Sequence, residues 1–292
     1  MKVIIIGLGL IGGSIAKDLR KADFASRIIG VDKDLSNGKK ALSIGLVDEL
    51  SSIEDCIEMA DLIIVAIPVD AARLEMPIVL DSIKEQTIVV DMGSTKHGLS
   101  KAVSGHKRRR NLVLSHPIAG TENTGPTAAV EGLFSNKVAI ICEKEMSSEP
   151  AMQLAEDLYR ALEMRVVYMD SKEHDLHIAY VSHLSHISSF TLSNTVLEIE
   201  KNEKNIFDLA GSGFESTVRL AKSSSSMWAP ILEQNSEIIS VALETYIDNL
   251  KEFKSLIESK DKKGLIKLMD QANDVRRILD GIELVGKKGN GN

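Results

Sequence analysis

Cysteine is scarce: the 292-residue chain has two, Cys56 and Cys142. They stand far apart, in neither a metal-binding nor a redox spacing, which excludes a disulfide scaffold and makes a reducing compartment the expectation. Long apolar runs are missing too, and none approaches the length that spans a bilayer. The opening Met1-Lys2-Val3-Ile4-Ile5-Ile6-Gly7 is too short for a secretion signal and lacks a small-residue cleavage site. These absences together predict a cytoplasmic protein with no membrane partner. An excess of positive charge is also lacking. The net charge of −7 argues against a general affinity for nucleic acid. One basic run, Lys107-Arg108-Arg109-Arg110, reads as a solvated loop. No internal repeat is visible.

What is present suits an ordinary globular enzyme, with length for one large domain or two of common size. The first half alternates short apolar runs with helix-like stretches. Strands are predicted at Val3–Ile6, Ile28–Val31, Leu62–Ile67, Thr87–Val90, Leu112–Leu114, Val138–Ile141 and Val166–Tyr168, and a helix over Ile11–Leu19. Runs apolar on both faces point to parallel strands covered by helices on either side. After about Asp170 the strand signal ends. Ala179, Leu184, Ile187 and Phe190 fall on one helix face, Ser223–Ser226 reads as a turn between helices, and Trp228–Leu256 reads as one or two long helices. The expected boundary gives an α/β domain over residues 1–170 and an all-α domain over residues 171–292. The Lys/Gly/Asn-rich tail, Gly286 to Asn292, is expected to fray.

Gly7-Leu8-Gly9-Leu10-Ile11-Gly12 is a GxGxxG pattern directly after the first strand and opening the first helix. Gly7 permits a tight turn, Gly9 lets backbone approach a pyrophosphate, and Gly12 allows close helix–strand packing. Backbone N–H groups of Leu10 and Ile11 at the helix start face the phosphates. Asp32, about twenty residues on at the end of the second strand, suits the adenosine ribose hydroxyls and disfavours the extra phosphate of NADP. A Rossmann-type domain binding NAD is expected, with Lys33 softening the preference. Pro68, which closes the Leu62–Ile67 run, joins this cofactor set.

Four further segments follow in order: Asp91-Met92-Gly93-Ser94-Thr95-Lys96, Ser115-His116-Pro117-Ile118-Ala119-Gly120-Thr121-Glu122, Val181-Ser182-His183-Leu184-Ser185-His186, and Gly211-Ser212-Gly213-Phe214 leading to Arg219. Together with the opening motif, Met227-Trp228 and Asn235, this combination resembles the prephenate/arogenate dehydrogenase family. The resemblance implies oxidative decarboxylation of a cyclohexadienol, an NAD cofactor, a homodimer built by the helical domain and an active site between the domains. That chemistry needs a hydroxyl-proton acceptor, a clamp for a dianion and a positioned nicotinamide.

His116, after the Leu112–Leu114 strand, is the candidate base, because a neutral imidazole accepts a proton near neutral pH. A structural loop histidine is the other reading. The resemblance implies that Ser94 helps hold His116 and the nicotinamide; a helix N-cap is the plainer role. It implies that Arg219 clamps a carboxylate, for which a planar guanidinium is suited, and that His183 faces the substrate side chain. Gly213 belongs to the turn before Arg219, and Thr121, with Glu122, lines the mouth of the site. The chain reads Glu215-Ser216-Thr217-Val218-Arg219 where family members often carry an Asp-x-Thr-Arg pattern, so contacts that tune substrate choice differ. His174/His177 and His183/His186 are spaced as zinc ligands can be, but no third ligand is suggested and no metal is expected. L-Arogenate instead of prephenate, a β-hydroxyacid or imine dehydrogenase, and a non-catalytic NAD sensor remain as alternatives. The length leaves no room for an added regulatory domain.

Overall fold

The apolar runs become strands because their β-branched residues pack on both faces of a sheet. In the computed structural model, which describes residues 1–201 and 209–277, the elements run as follows. The first are β1 (Lys2–Ile6), α1 (Leu10–Lys21), β2 (Arg27–Val31), α2 (Leu35–Ser43), β3 (Glu49–Leu50), α3 (Ile53–Cys56), β4 (Leu62–Val65), α4 (Val69–Ser82), β5 (Ile88–Asp91) and α5 (His97–Val103). Then come β6 (Leu112–Pro117), β7 (Val138–Cys142), α6 (Glu149–Ala161), β8 (Arg165–Met169) and α7 (Ser171–Ile178). After these the chain is helical: α8 (Leu184–Glu200), α9 (Ser212–Val218), α10 (Ser225–Gln234), α11 (Ser236–Glu258) and α12 (Lys262–Asn273). The tail Gly286–Asn292 lies outside the described residues.

The strands form one sheet in the order β3-β2-β1-β4-β5-β6-β7-β8. The order reverses between β1 and β4, the place where such sheets open a crevice for ligands at the carboxyl ends of their strands. Alternate residues serve opposite faces. Val3, Ile5, Ile64 and Val90 pack with Ile15 and Leu19 of α1 and Leu158 and Tyr159 of α6. Ile4, Ile63, Val89 and Leu114 pack with Met76 and Leu80 of α4 and Leu99 of α5. Each fully buried side chain of this kind contributes roughly 1.5–3 kcal/mol.

The structure differs from the expectation in the added edge strand β3 and in three further places. The β6–β7 pair is antiparallel, because the chain returns through a loop with a single 3₁₀ turn, Pro126–Ala128, instead of a crossover helix. That loop is tied to α1: Val130 N–H donates to Ser14 Oγ (2.9 Å), Gly132 N–H to Asp18 Oδ1 (2.7 Å), and Lys17 Nζ to the Ala129 carbonyl (2.8 Å). Within the basic run, Arg109 is buried, and its Nη1 donates to the Leu112 carbonyl at 2.8 Å; a local backbone acceptor draws it inward, while Lys107 and Arg110 stay exposed. Finally, a π-helical turn, Ala179–His183, interrupts the helical periodicity between α7 and α8.

By packing, the chain divides into Met1–Ser236 and a second unit starting at Glu237. In the first unit, Val69 of α4 meets Trp228 and Ile231 of α10. The second contains most of α11 and all of α12, whose N-terminus is capped by Asp261 accepting from Gly264 N–H at 3.0 Å. Among the described residues, no helix is long and apolar enough to cross a membrane.

Candidate active site

β1, β4, β5 and β6 are parallel neighbours, so their carboxyl ends share one edge of the sheet. The glycine loop lies on that edge. Gly7 has φ +93°, and a Cβ there would meet the Ala66 carbonyl oxygen at 2.5 Å. At Gly12 a Cβ would lie 2.0 Å from the Gly7 carbonyl oxygen, so only glycine lets α1 approach β1 this closely. Gly9 is different: nothing lies within 4 Å of its Cβ position. Its backbone, extended at φ −75°, caps α1 without a side-chain partner, and the first turn holds no acid. The start of the helix, at Leu10 and Ile11, therefore presents open space and unneutralised N–H groups, which fits a dinucleotide pyrophosphate. Asp32 Oδ2 accepts from Leu8 N–H (2.8 Å) and Oδ1 from Asp34 N–H (2.9 Å), fixing its carboxylate against the loop with lone pairs to spare. Pro68 is exposed after β4 and caps α4.

His116 sits near the carboxyl end of β6. Its Nδ1 lies 2.9 Å from His174 Nε2, and His174 Nδ1 lies 2.7 Å from Asp175 Oδ1. Asp175 also accepts from the backbone N–H groups of Lys96 (2.8 Å) and His97 (2.9 Å). This explains how α5 starts: Lys96, not Ser94, is its N-cap residue, and a carboxylate from α7 does the capping. His116 keeps partial exposure. Burial, then the neighbouring His174, Lys96 and His183, holds its pKa well below 6.5. Burial likewise lowers His174. Asp175 is held below its ordinary value: burial opposes this, but the bonds from His174, His97 and Lys96 outweigh it. His116 is thus a neutral imidazole near pH 7.

A buried ion pair supports this arrangement. Lys96, fully buried, pairs with Asp91 at the end of β5, and its Nζ also donates to the Ser115 carbonyl at 2.7 Å. Ser115 Oγ donates to the Asp91 carbonyl (2.6 Å) and is bonded to the Tyr159 hydroxyl from α6. Ser94, in the loop between β5 and α5, makes no side-chain hydrogen bond among the described residues and is partly exposed.

Of the remaining candidates, His183 is linked to this centre through Asn235. His183, almost fully buried in the π-helical turn, has Nδ1 3.3 Å from Asn235 Nδ2, and Asn235 donates to the Asp175 carbonyl at 2.8 Å. Burial pushes the His183 pKa down to about 4. The His183 ring meets Trp228 edge-on at 5.8 Å, while His186 stacks on Trp228 at 3.6 Å. Among the described residues, His183 Nε2 and Trp228 Nε1 are buried without hydrogen-bond partners, polar atoms that a ligand can satisfy. Arg219, in a 3₁₀ turn after α9, pairs with Glu122 at 3.3 Å, and its charge reaches His186. Thr121 Oγ1 accepts from Asn123 N–H (3.2 Å) in the loop after β6. Gly213 is exposed in α9, and its carbonyl accepts from Ser216 and Thr217 hydroxyls.

Comparison with known proteins gives this constellation a context. Residues 15–168 match the family model described as prephenate dehydrogenase, nucleotide-binding domain, and residues 170–271 match prephenate dehydrogenase, dimerization domain. This chain belongs to the prephenate dehydrogenase family. The prephenate dehydrogenase of Bacillus subtilis is 30% identical over 285 residues, covering 97% of this chain and 76% of that protein. The cyclohexadienyl dehydrogenase of Zymomonas mobilis is 28% identical, over 95% of both chains. Among solved structures, Aquifex aeolicus prephenate dehydrogenase in complex with hydroxyphenyl propionate and NAD+ superposes with a TM-score of 0.85 at 28% identity, covering 96% of this chain and 98% of that one.

In this family member, sequence reasoning missed the pairing of His174 and Asp175 with His116. A signal was present. Ser171, His174, Asp175 and Ile178 are the buried residues of α7, at the spacing of an apolar stripe. A histidine and an acid in such a stripe must find partners inside the fold.

Proposed function

We propose that this chain oxidises and decarboxylates prephenate to 4-hydroxyphenylpyruvate, with NAD as the hydride acceptor. The observation that carries the reading is His116: a neutral ring at the ligand-binding edge of the sheet, bonded through Nδ1. Its Nε2 accepts the C4 hydroxyl proton while the C4 hydride leaves. The C1–carboxylate bond breaks, CO2 departs, its electron pair completes the aromatic ring, and the C4 oxygen takes the proton back from His116 as the phenol of the product. When bound, the nicotinamide supplies the hydride acceptor. Gly9, the N–H groups of Leu10 and Ile11, and Asp32 hold the dinucleotide; Gly7 and Gly12 shape the turn beneath it, and Pro68 borders it. Ser94, with its hydroxyl uncommitted, positions His116 and the nicotinamide ring.

Arg219 receives a substrate carboxylate. Its present contact with Glu122 is long and half-exposed, a kind of pair worth roughly 0–1 kcal/mol, so the guanidinium can change partner. Thr121 and Gly213 flank that position, and His183 faces the substrate's side chain. We also propose that residues 171–292 form the helical dimerisation domain, with residues 1–170 binding the dinucleotide. Large apolar side chains exposed on α11 and α12, among them Val241, Ile257, Ile266 and Met269, support self-association. The two buried free thiols fit a reducing compartment, and we place the enzyme in the cytoplasm.

The test is NADH formation by purified protein with NAD and either prephenate or L-arogenate, beside His116→Asn. Turnover of prephenate, lost by about 10²-fold or more in kcat with KM little changed in the variant, supports both the reaction and the base. Turnover of L-arogenate alone moves the assignment to the amino analogue. Turnover of neither, with NAD still bound, returns the NAD-sensor reading.

A further inference from the structure

The buried pair on α7 has a chemical consequence for His116. Asp175 receives two backbone N–H groups, from Lys96 and His97, which can only donate. Those bonds keep its oxygens as acceptors, so His174 Nδ1 must carry the proton that spans the 2.7 Å to Asp175 Oδ1. A neutral His174 then has a lone pair on Nε2. Across the 2.9 Å contact, His116 Nδ1 must be the donor. The proton order is thereby fixed from the helix cap outward, and His116 Nε2 is left as the lone pair that takes a proton.

We propose that His174 and Asp175 are positioning residues that set the tautomer of His116 and stabilise its imidazolium once the substrate proton has arrived. The proposal rests on the functional reading above for what the proton comes from, but not for the tautomer itself. After transfer, His116 bears a proton on both nitrogens, His174 accepts from the Nδ1 proton, and the Asp175 carboxylate faces the new charge through the intervening ring. No proton needs to move beyond His116. A carboxylate that orients an imidazole in this way works by fixing the tautomer and the charge, not by taking the proton itself. Here a second histidine lies between carboxylate and base. Asn235, donating to the Asp175 backbone carbonyl, holds the start of the chain in place.

The experiment uses full-length protein labelled at histidine nitrogen. Two-bond hydrogen–nitrogen NMR correlations, assigned with His116→Asn, report which ring nitrogen of His116 is protonated. The expected result is Nδ1–H in the wild type, with the Nε2–H form appearing in His174→Phe. That variant should lose on the order of 10²–10⁴-fold in kcat, while KM for the ring substrate and for NAD stays within about threefold. His174→Gln, whose amide oxygen can still accept from His116, should recover part of the tautomer and of kcat; it is read alone if the phenylalanine variant does not fold. Nε2–H in the wild type, or a His174→Phe protein that keeps its kcat within about threefold, overturns the proposal. If the wild type oxidises neither ring substrate, the functional reading fails, and the tautomer spectra still decide the relay.

Discussion

A histidine buried as a neutral ring carries a pH dependence that can be read from its surroundings. His183 has its pKa pushed down to about 4, first by burial, against about 6.5 for an unhindered imidazole. Between those values the unfolded chain binds a proton that the folded chain refuses. Stability from this site is therefore complete above about pH 6.5 and is lost as pH falls toward 4. The gap corresponds to roughly 3 kcal/mol. Thermal denaturation followed from pH 7 down to pH 4.5 should show a steep loss in the wild type and a shallower one in His183→Gln, which has no proton to take up. An equal slope in both proteins would remove His183 from the account. His116, His174 and His186 are lowered in the same sense, and the Asp48 and Asp175 carboxyls are held low as well, so a slope is expected to remain in the variant.

At the scale of elements, the glycine loop separates two roles that look alike in the motif. A side chain at Gly9 meets nothing in the protein, whereas one at Gly12 collides with the Gly7 carbonyl. Gly9→Val should fold with its stability changed by no more than about 0.5 kcal/mol, yet bind NAD tenfold or more weakly, a loss of at least about 1.4 kcal/mol, as titration calorimetry would show. Gly12→Val should instead lower the denaturation midpoint, because α1 must move off β1. The motif was legible in the sequence as a unit; the difference between an open and a filled Cβ position depends on Ala66 and Gly7 carbonyls that only folding brings near. The β5–α5 connection makes a second case. Lys96 and Asp91 are both fully buried and paired with each other. Lys96→Met leaves the Asp91 carboxylate without its cation, and denaturant unfolding should show a cost of about 3–5 kcal/mol. A change under about 1 kcal/mol would mean that Asp91 finds another partner. Lys96 gave no such signal in the sequence, where lysine is normally a surface residue.

At the scale of the whole molecule, the segment after β8 does two jobs. α7 returns to the sheet edge with His174 and Asp175, and α10 packs Trp228 and Ile231 against Val69, so the compact unit extends to Ser236. The two family models meet between residues 168 and 170, just where β8 ends. From Glu237 on, α11 and α12 leave large apolar residues exposed. Light scattering should accordingly give twice the chain mass of 31.9 kDa, and Ile257→Glu combined with Met269→Glu should shift the protein toward the monomer. A monomeric wild type would reject the dimer.

The sequence by itself determined the alternating α/β half, the helical half, the glycine loop with Asp32 and the presence of His116 at a strand end. These depend on local periodicity, on glycine's missing Cβ and on segment order, all of which are written along the chain. Only the tertiary structure decided the antiparallel β6–β7 pair, the inward turn of Arg109 and the burial of Lys96. It also placed His174 between Asp175 and His116, 58 residues apart from the base in sequence. For the side chains the physical reason is the same. A polar group's role is set by the partner that satisfies it once water is excluded, and that partner comes from a segment remote along the chain or from a backbone carbonyl the sequence does not mark.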